Sequence, residues 1–427
     1  MGARVLITAA ALAALAVGCQ KESKLYCGKH PTDVENCGFL DAGIDARPTC
    51  TVDPDCEALV DTPHCEPDTH YCVGCYLPEH CAGNAEAKFC DLDTFTCRSC
   101  VEHADCTSNA CLPDGTCGDD STVAYVDPMA PVANTTCTAA EPCSTIDVAL
   151  LTKRPYIKLQ GAISEEVPDL ASTAVTFLSA PGTSLTRPTA GVVLNISGSS
   201  EVAVYDLTIT GNEESGLLVD RSTLRLARST VTGCNKKDRR AIEVKTNSAL
   251  IVSRSELTDN AGGGIFTDGT STYDITNTFL VRNGADDSAV GGASLGATIS
   301  GLNRFEMNTV ADNRVSTTAN AGGLQCATSV RAPNNLIVRN YAGGLPGALN
   351  ANKPVVNGCN LGESVIATDV AGFSFEMPEG TGPWDYHIGP GSMAIDKGVT
   401  SDIAVDVDGD ARPFNGKLDV GADEYSP

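Results

Sequence analysis

The chain has 427 residues, 42% of them hydrophobic and only 5% aromatic, with 54 acidic side chains against 29 basic ones and a formal charge of −25. That balance argues against nucleic acid and anionic membrane surfaces as partners, because no basic patch offsets it. It suits a solvated extracellular surface, and a strongly anionic polysaccharide would need Ca²⁺ to bridge the two.

In chain order, Met1 to Arg4 is followed by an apolar run from Val5 to Gly18, then Cys19, then polar "QKESK". The run is too short to span a bilayer and has the form of a signal peptide. Its ending, "LAVGC", resembles a bacterial lipobox, with Ala16 where Leu is usual and Leu15 one place further away. The resemblance implies a signal peptide over 1–18 and lipidation of Cys19. A tether over 19–49 would then follow. It also implies an exported protein whose partner is the outer membrane, held there or at the cell surface of a Gram-negative bacterium through a lipid.

Of the 20 cysteines, 14 fall between Cys27 and Cys117. In an oxidising compartment that density predicts disulfides. Three units start at Cys50, Cys75 and Cys100, and the first two share C-x5-C-x8-C-x6-C without a slip. The candidates are Cys50, Cys56, Cys65 and Cys72 in the first unit, and Cys75, Cys81, Cys90 and Cys97 in the second. Cys100, Cys106, Cys111 and Cys117 form the third, with Cys137 and Cys143 as a later pair. Few large apolar residues accompany them, so the region 50–120 is predicted as modules stapled by bridges whose connectivity the sequence leaves open. The spacing is similar to that of Dickkopf-type Cys-rich repeats. Cys72-x-x-Cys75 and Cys97-x-x-Cys100 also approach a zinc-ribbon spacing, but each pair straddles a unit boundary.

Beyond Asp120 one helix is predicted, from Ser144 to about Leu151, with Ser144 or Thr145 as N-cap and Ile146, Ala149 and Leu150 as its packing face. Strand "YIKLQG" follows, and then short strands with flanking Gly, Asn and Asp recur to the end. Six phrases end in asparagine, "LTITGN", "TVTGCN", "SELTDN", "NTFLVRN", "NTVADN" and "NNLIVRN", closing at Asn212, Asn235, Asn260, Asn283, Asn313 and Asn340 with steps of 23, 25, 23, 30 and 27. A unit of that length without a helix buries its apolar face only by coiling on the next, so the fold predicted for 121–427 is an all-β parallel β-helix of about nine or ten coils. The asparagines are predicted to stack as an amide ladder satisfying buried turn backbone, with Cys234 hinting at a one-residue shift in its coil.

The opening helix and strand are similar to the first segment of right-handed parallel β-helix proteins of the pectate-lyase type. The tail "GSMAIDKG" with "DVDGDARPFNGKLDVGADEY" resembles the ending of bacterial surface β-helix proteins of the choice-of-anchor Q group. The resemblance implies a right-handed helix with a capping helix at its start and a C-terminal cap. Pectinolytic enzymes on such a fold use Ca²⁺-binding carboxylates with an Arg base, or several Asp. Here Asp286 and Asp287 sit in a predicted turn, Arg282 and Arg339 precede equivalent asparagines, and no acidic cluster can be placed beside them. These four are the catalytic candidates, and none is assigned. Gly292-x-Ser294-x-Gly296 fits a nucleophile elbow in pattern but aligns with the opening strand of a coil. Asp406, Asp408 and Asp410 are candidate Ca²⁺ ligands, although Gly409 and Lys417 break the EF-hand pattern. No other cofactor is expected. The function predicted is a non-catalytic surface lipoprotein that contacts polysaccharide, matrix or another surface protein, with a polysaccharide lyase or hydrolase as the alternative.

Overall fold

The structure, a computed structural model, describes residues 48–426 apart from short internal stretches, the longest at 297–302, 343–354 and 376–384. Cys19, the apolar run before it and Asp286 lie outside the described residues. The chain divides into two compact units, Met1–Thr107 with Cys111–Cys117, and Ser108–Ala110 with Gly118–Pro427.

In the first unit the three cysteine repeats share one connectivity, first to third and second to fourth. The bridges are Cys50–Cys65 with Cys56–Cys72, Cys75–Cys90 with Cys81–Cys97, and Cys100–Cys111 with Cys106–Cys117. The residue before each second cysteine organises the turn that opens its repeat. Asp55 accepts the amides of Thr51 and Val52, His80 accepts that of Tyr76, and Asp105 accepts those of Val101 and Glu102. Two-stranded hairpins such as Phe89–Asp91 with Thr96–Arg98 complete the repeats. The cysteines of each C-x-x-C go to different bridges, which removes the zinc-ribbon arrangement.

The second unit is a parallel β-helix. Val123–Val126 pairs with Tyr156–Leu159, and from there every strand pairs in parallel with its equivalent one coil on. Each coil has three strands, as in Thr223–Ala227, Thr230–Thr232 and Ile242–Lys245. The separate eight-stranded sheet formed by the third strands corresponds to about seven full turns. The nine or ten coils expected are approached only along the longer sheet, whose main path carries ten strands, because the ends of the stack do not close through all three faces.

Register places inward side chains in vertical columns. Phe177, Val204, Leu226, Val252, Ile275 and Phe305 stack on one face, and Leu185, Ile209, Val231, Leu257, Leu280, Val310 and Ile337 on the next. All are buried in one continuous core. Alternation along each strand is the reason: inward and outward positions differ by one residue, so a slip would turn the whole column to solvent. The helix Ile146–Leu151 lies at the start, with Thr145 Oγ1 accepting the Val148 amide and the Glu165 carboxylate accepting the Ile146 amide at 2.9 Å. Its Ile146 and Ala149 are buried, as the apolar face required.

Polar side chains hold the corners. Asn260 Nδ2 donates to Asn283 Oδ1 at 2.8 Å, Asn283 Nδ2 to Asn313 Oδ1 at 3.1 Å, and Asn313 Nδ2 to Asn340 Oδ1 at 2.8 Å. All four asparagines are buried, and their amides also hold carbonyls of the coil below, such as Val231, Leu257 and Leu280. Asn235 does not join this row. It is exposed, and buried Cys234 takes the register position instead, its amide donating to Asn260 Oδ1. Asn212 holds the position below but turns outward to the carbonyls of Arg187 and Thr189. The coil closing at Asn235 is therefore one residue out of step with the phrase pattern.

Two further ladders went unread in the sequence. Ser200, Ser222, Ser248 and Ser271 stack at one corner, each hydroxyl from Ser222 onward accepting the amide of the serine one coil below. Ser255, Asn308, Asn335 and Ser364 accept amides in the same way at another, from Ser229, Thr278, Asn308 and Asn335. The residues before this second row, Asp206, Arg228, Arg254, Asn277, Met307 and Asn334, all have positive φ between 45° and 60°. Left-handed backbone at a non-glycine residue is uncommon, and six in a column mark one bend repeated coil after coil. Gly292 shows how tight the neighbouring stretch is, since a Cβ there would meet the Gly323 carbonyl at 2.6 Å.

The tail does more than cap the end of the stack. After the last coil it runs back along the outer face of the second strands: Asn277 Nδ2 donates to the Val405 carbonyl, and Arg254 Nε to that of Val407. Further on, Asn334 pairs with Val399, donating to its carbonyl and accepting its amide. A second core results, of outward Phe279, Val281, Ala311, Leu336 and Val338 beneath Phe373, Phe375, Tyr386, Ile388, Val420 and Ala422.

Candidate functional site

Among the described residues, nothing covers the outer face of the first strands over several coils. Its outward positions run Ala174, Glu201, Thr223, Ala249, Thr272 in one column and Thr176, Ala203, Arg225, Ile251 in the next. Adjacent coils lie about 4.8 Å apart. Ala and Thr at six of these nine positions leave a shallow trough, with Glu201, Arg225 and Ile251 as its larger side chains. Two cavities of about 330 and 320 Å³ open on it and share Glu201 and Thr223. One rim carries Ser199, Arg221, Asn247 and Thr270 from the serine corner, and the far end carries Tyr156. Arg225 is exposed and forms no ion pair among the described residues. Near the upper end, Arg304 binds Asp274 bidentately, at 2.7 and 3.0 Å, and also reaches Asp402 of the tail. Two residues along the strand from Tyr156, Lys158 is buried; its Nζ has no hydrogen-bond partner among the described residues, and burial holds its pKa down to about 7.

The three described catalytic candidates, Asp287, Arg282 and Arg339, are not brought together as a catalytic centre. Asp287 is exposed in the turn closed by Ala285 and Ser288. Arg282 binds Asp259 through both Nε and Nη2 at 3.0 Å, with Glu256 at 3.9 Å, and lies over the Tyr386 ring. Arg339 binds Asp312, which also accepts the Tyr386 hydroxyl. Acidic partners that the sequence could not place therefore stand beside both arginines; they come from the coil below, a neighbour that only the register identifies. The pairing argues against proton abstraction by either one. Burial pulls Arg282 and Arg339 down, but the bonds to Asp259 and Asp312 outweigh it, and both stay above the ordinary arginine value. A base needs the opposite shift. Burial raises Glu256 above the usual carboxylate range. Ser294 lies in the strand Ala293–Leu295 of a coil, so no nucleophile elbow forms.

The calcium candidates also separate. Asp406 Oδ1 accepts the amides of Asp408, Gly409 and Asp410, and Oδ2 that of Glu424, so its carboxylate is spent on folding the turn. Asp408 points instead to His387 Nε2, at 3.0 Å. In the same motif Arg412 is buried against Glu424 at 3.1 Å, and Asp419 accepts the amides of Asp396 and Tyr425. The cluster around His387 was missed because, although Asp385 is only two residues away, Asp408 and Asp423 lie 21 and 36 residues further along the chain. Burial pulls His387 down, but the hydrogen bond to Asp408 and the three carboxylates hold it up at about 9. Burial pushes Asp423 up to about 6. A bridge also missed, Cys326–Cys359, ties two upper coils, and Cys137–Cys143 closes the loop before the helix.

Fold comparisons agree with the coil geometry. The family profile described as "Right handed beta helix region" matches residues 184–280, and the second unit is a right-handed parallel β-helix. Solved structures similar to it include a pectate lyase, Pel9A, at 15% identity and TM-score 0.44, covering 71% of this chain and 96% of that one. A rhamnogalacturonan lyase is similar at 11% identity and TM-score 0.36, covering 61% of this chain and 92% of that one. At these values neither carries a reaction or a residue role across. No curated protein matches.

Proposed function

We propose that the protein is an exported lipoprotein, anchored through Cys19 in the outer membrane of a Gram-negative bacterium, which uses its β-helix to hold polysaccharide without cleaving it. The observation that carries this reading is the open trough over five coils, where the Thr223 and Thr272 hydroxyls, the Asn247 side-chain amide and unpaired Arg225 remain available while the ladder serines and Thr270 are hydrogen-bonded and the arginines of the neighbouring face are consumed in ion pairs. Hydroxyl and amide groups repeated at coil spacing suit a ligand that is itself a repeating polyol. Tyr156 offers an apolar ring at one end, and Glu201 beside Arg225 sets a polarity along the groove.

The test is a panel of neutral and uronate polysaccharides titrated against the mature chain, with Arg225→Ala and Asn247→Ala in parallel. Wild type is expected to bind at least one glycan, and each variant to bind it at least tenfold more weakly with an unchanged circular dichroism spectrum. Equal affinity in the variants would discard the trough, and no binding by wild type would discard the ligand class. Growth of unsaturated product absorbance or of reducing ends would make the protein an enzyme.

A further inference from the structure

His387, Asp408 and Asp423 converge on the outer face of the second strands, one ligand-type atom from each lying within 4.8 Å of the others. The three belong to separate segments of the tail and meet only because it folds back over the coils. Their surroundings differ from those of an ordinary surface ion pair. Asp423 is 7% exposed; its Oδ2 accepts the Ile388 amide at 2.7 Å, and its Oδ1 accepts no hydrogen bond among the described residues. His387 Nδ1 faces Asp385 at 3.6 Å, which leaves Nε2 directed at Asp408. The Phe279 ring stands edge-on to the imidazole at 5.0 Å, and Arg254 holds the backbone carbonyls of Val407 and Asp408. One carboxylate, Asp385, whose Oδ1 accepts the His387 backbone amide, thus stands behind the imidazole, with two further carboxylates in front of it. That is the arrangement in which metal-ligating histidines are commonly found.

We propose that His387 Nε2, Asp408 and Asp423 form a binding site for a divalent transition metal of the zinc class, which locks the tail onto the β-helix. One imidazole with two carboxylates suits Zn²⁺ and leaves a fourth position for water. Ca²⁺ is disfavoured because it takes six to eight oxygen ligands and the site offers a nitrogen in a central place. Ligand atoms at about 2.0–2.2 Å around a tetrahedral ion lie about 3.4 Å apart, so a small side-chain rotation closes the site from its present spread. A second cluster, Asp53 with His64 and His80, is a poorer seat. Its imidazoles are stacked 3.6 Å apart and within 10° of parallel, so their lone pairs run side by side rather than converging.

The experiment uses the purified full chain after chelator treatment, titrated calorimetrically with ZnCl₂ and with CaCl₂, and followed by amide hydrogen exchange with and without each metal. Wild type and His64→Ala are expected to show the same zinc site, weakened at least 30-fold in His387→Gln and Asp423→Asn. Zinc, and not calcium, is expected to slow exchange at least tenfold over residues 386–388 and 406–410. Zinc binding that survives both tail substitutions, or is absent from wild type, overturns the proposal, as does equal protection by calcium. Should either variant fail to fold, the wild-type exchange comparison decides alone: unchanged exchange in zinc means that His387 and Asp408 are an ion pair only.

Discussion

The two units are built from repeats of similar length and are held together by different means. A cysteine repeat begins every 25 residues, at Cys50, Cys75 and Cys100, and the coils return after 20 to 33, as from Tyr156 to Thr176 and from Val123 to Tyr156. In the first unit the buried side chains are mostly the cystines themselves. In the second, each coil adds a layer to a common apolar column, and bridges are few. About 25 residues cannot enclose a core alone; either covalent closure limits the unfolded chain or stacking shares one core among all repeats.

Reduction should separate the two units most sharply. Each cystine of a small module contributes about 2–5 kcal/mol, so a reductant is expected to abolish amide protection over 50–117 while leaving 174–311 protected, as read by hydrogen exchange. Loss of protection in both would show that the coils also depend on covalent closure. Next in size is Arg412→Leu, which leaves buried Glu424 without its charge partner at a cost of about 3–5 kcal/mol. Faster exchange across 386–425 with the coil columns intact is the expected outcome, and protection unchanged there would mean that the tail is held by its apolar contacts alone. Asn283→Ala removes one rung of the amide ladder and strands the Leu257 carbonyl, for about 1–3 kcal/mol in thermal or denaturant unfolding. The same change at exposed Asn235 should have no measurable effect.

The smallest effects sharpen the comparison at single groups. The hydrogen bond from Arg98 holds Asp105 down at about 2, from an ordinary value of 3.8. The third cysteine repeat therefore gains stability from this carboxylate fully above about pH 3.8 and loses it as the pH falls through 2. Asp105→Asn should remove that pH dependence from the amide shifts of Val101 and Glu102 and leave the coils as they were. Cys234 is buried in the asparagine row, and burial raises its thiol to about 12. Native protein should resist alkylation at this residue and react after denaturation; rapid labelling of the folded chain would put the thiol at the surface.

Much of the fold was legible because stacking writes itself into sequence. The phrases ending at Asn260, Asn283, Asn313 and Asn340 are vertical neighbours, and a side chain that both donates an amide to the rung above and accepts from the rung below keeps asparagine at each of them. The Ser200 to Ser271 row was present in the same sense, once per coil, but serine is common enough in loops that its period does not stand out. Tail docking also left a trace. Outward positions of the second strands read Thr208, Thr230 and Glu256 in the lower coils, then Phe279, Thr309 and Leu336 where the tail covers them, Thr309 accepting the Ala422 amide of the tail. The phrases "SELT" and "NTFLV" carry that change from polar to apolar in their own letters, although they do not say what does the covering.

From the sequence alone come the period, the inward and outward alternation, the cysteine units, the capping helix and four of the six asparagine positions, since each depends on residues near in sequence or one coil apart. Cystine connectivity, the Asp259–Arg282 and Asp312–Arg339 pairs, the gathering of His387 with Asp408 and Asp423, and the open trough were decided by tertiary structure. Coil register and the fold-back of the tail bring together groups separated by 11 to 36 residues or more, and a linear pattern carries no term for which side chains of different segments come to share one side of a sheet.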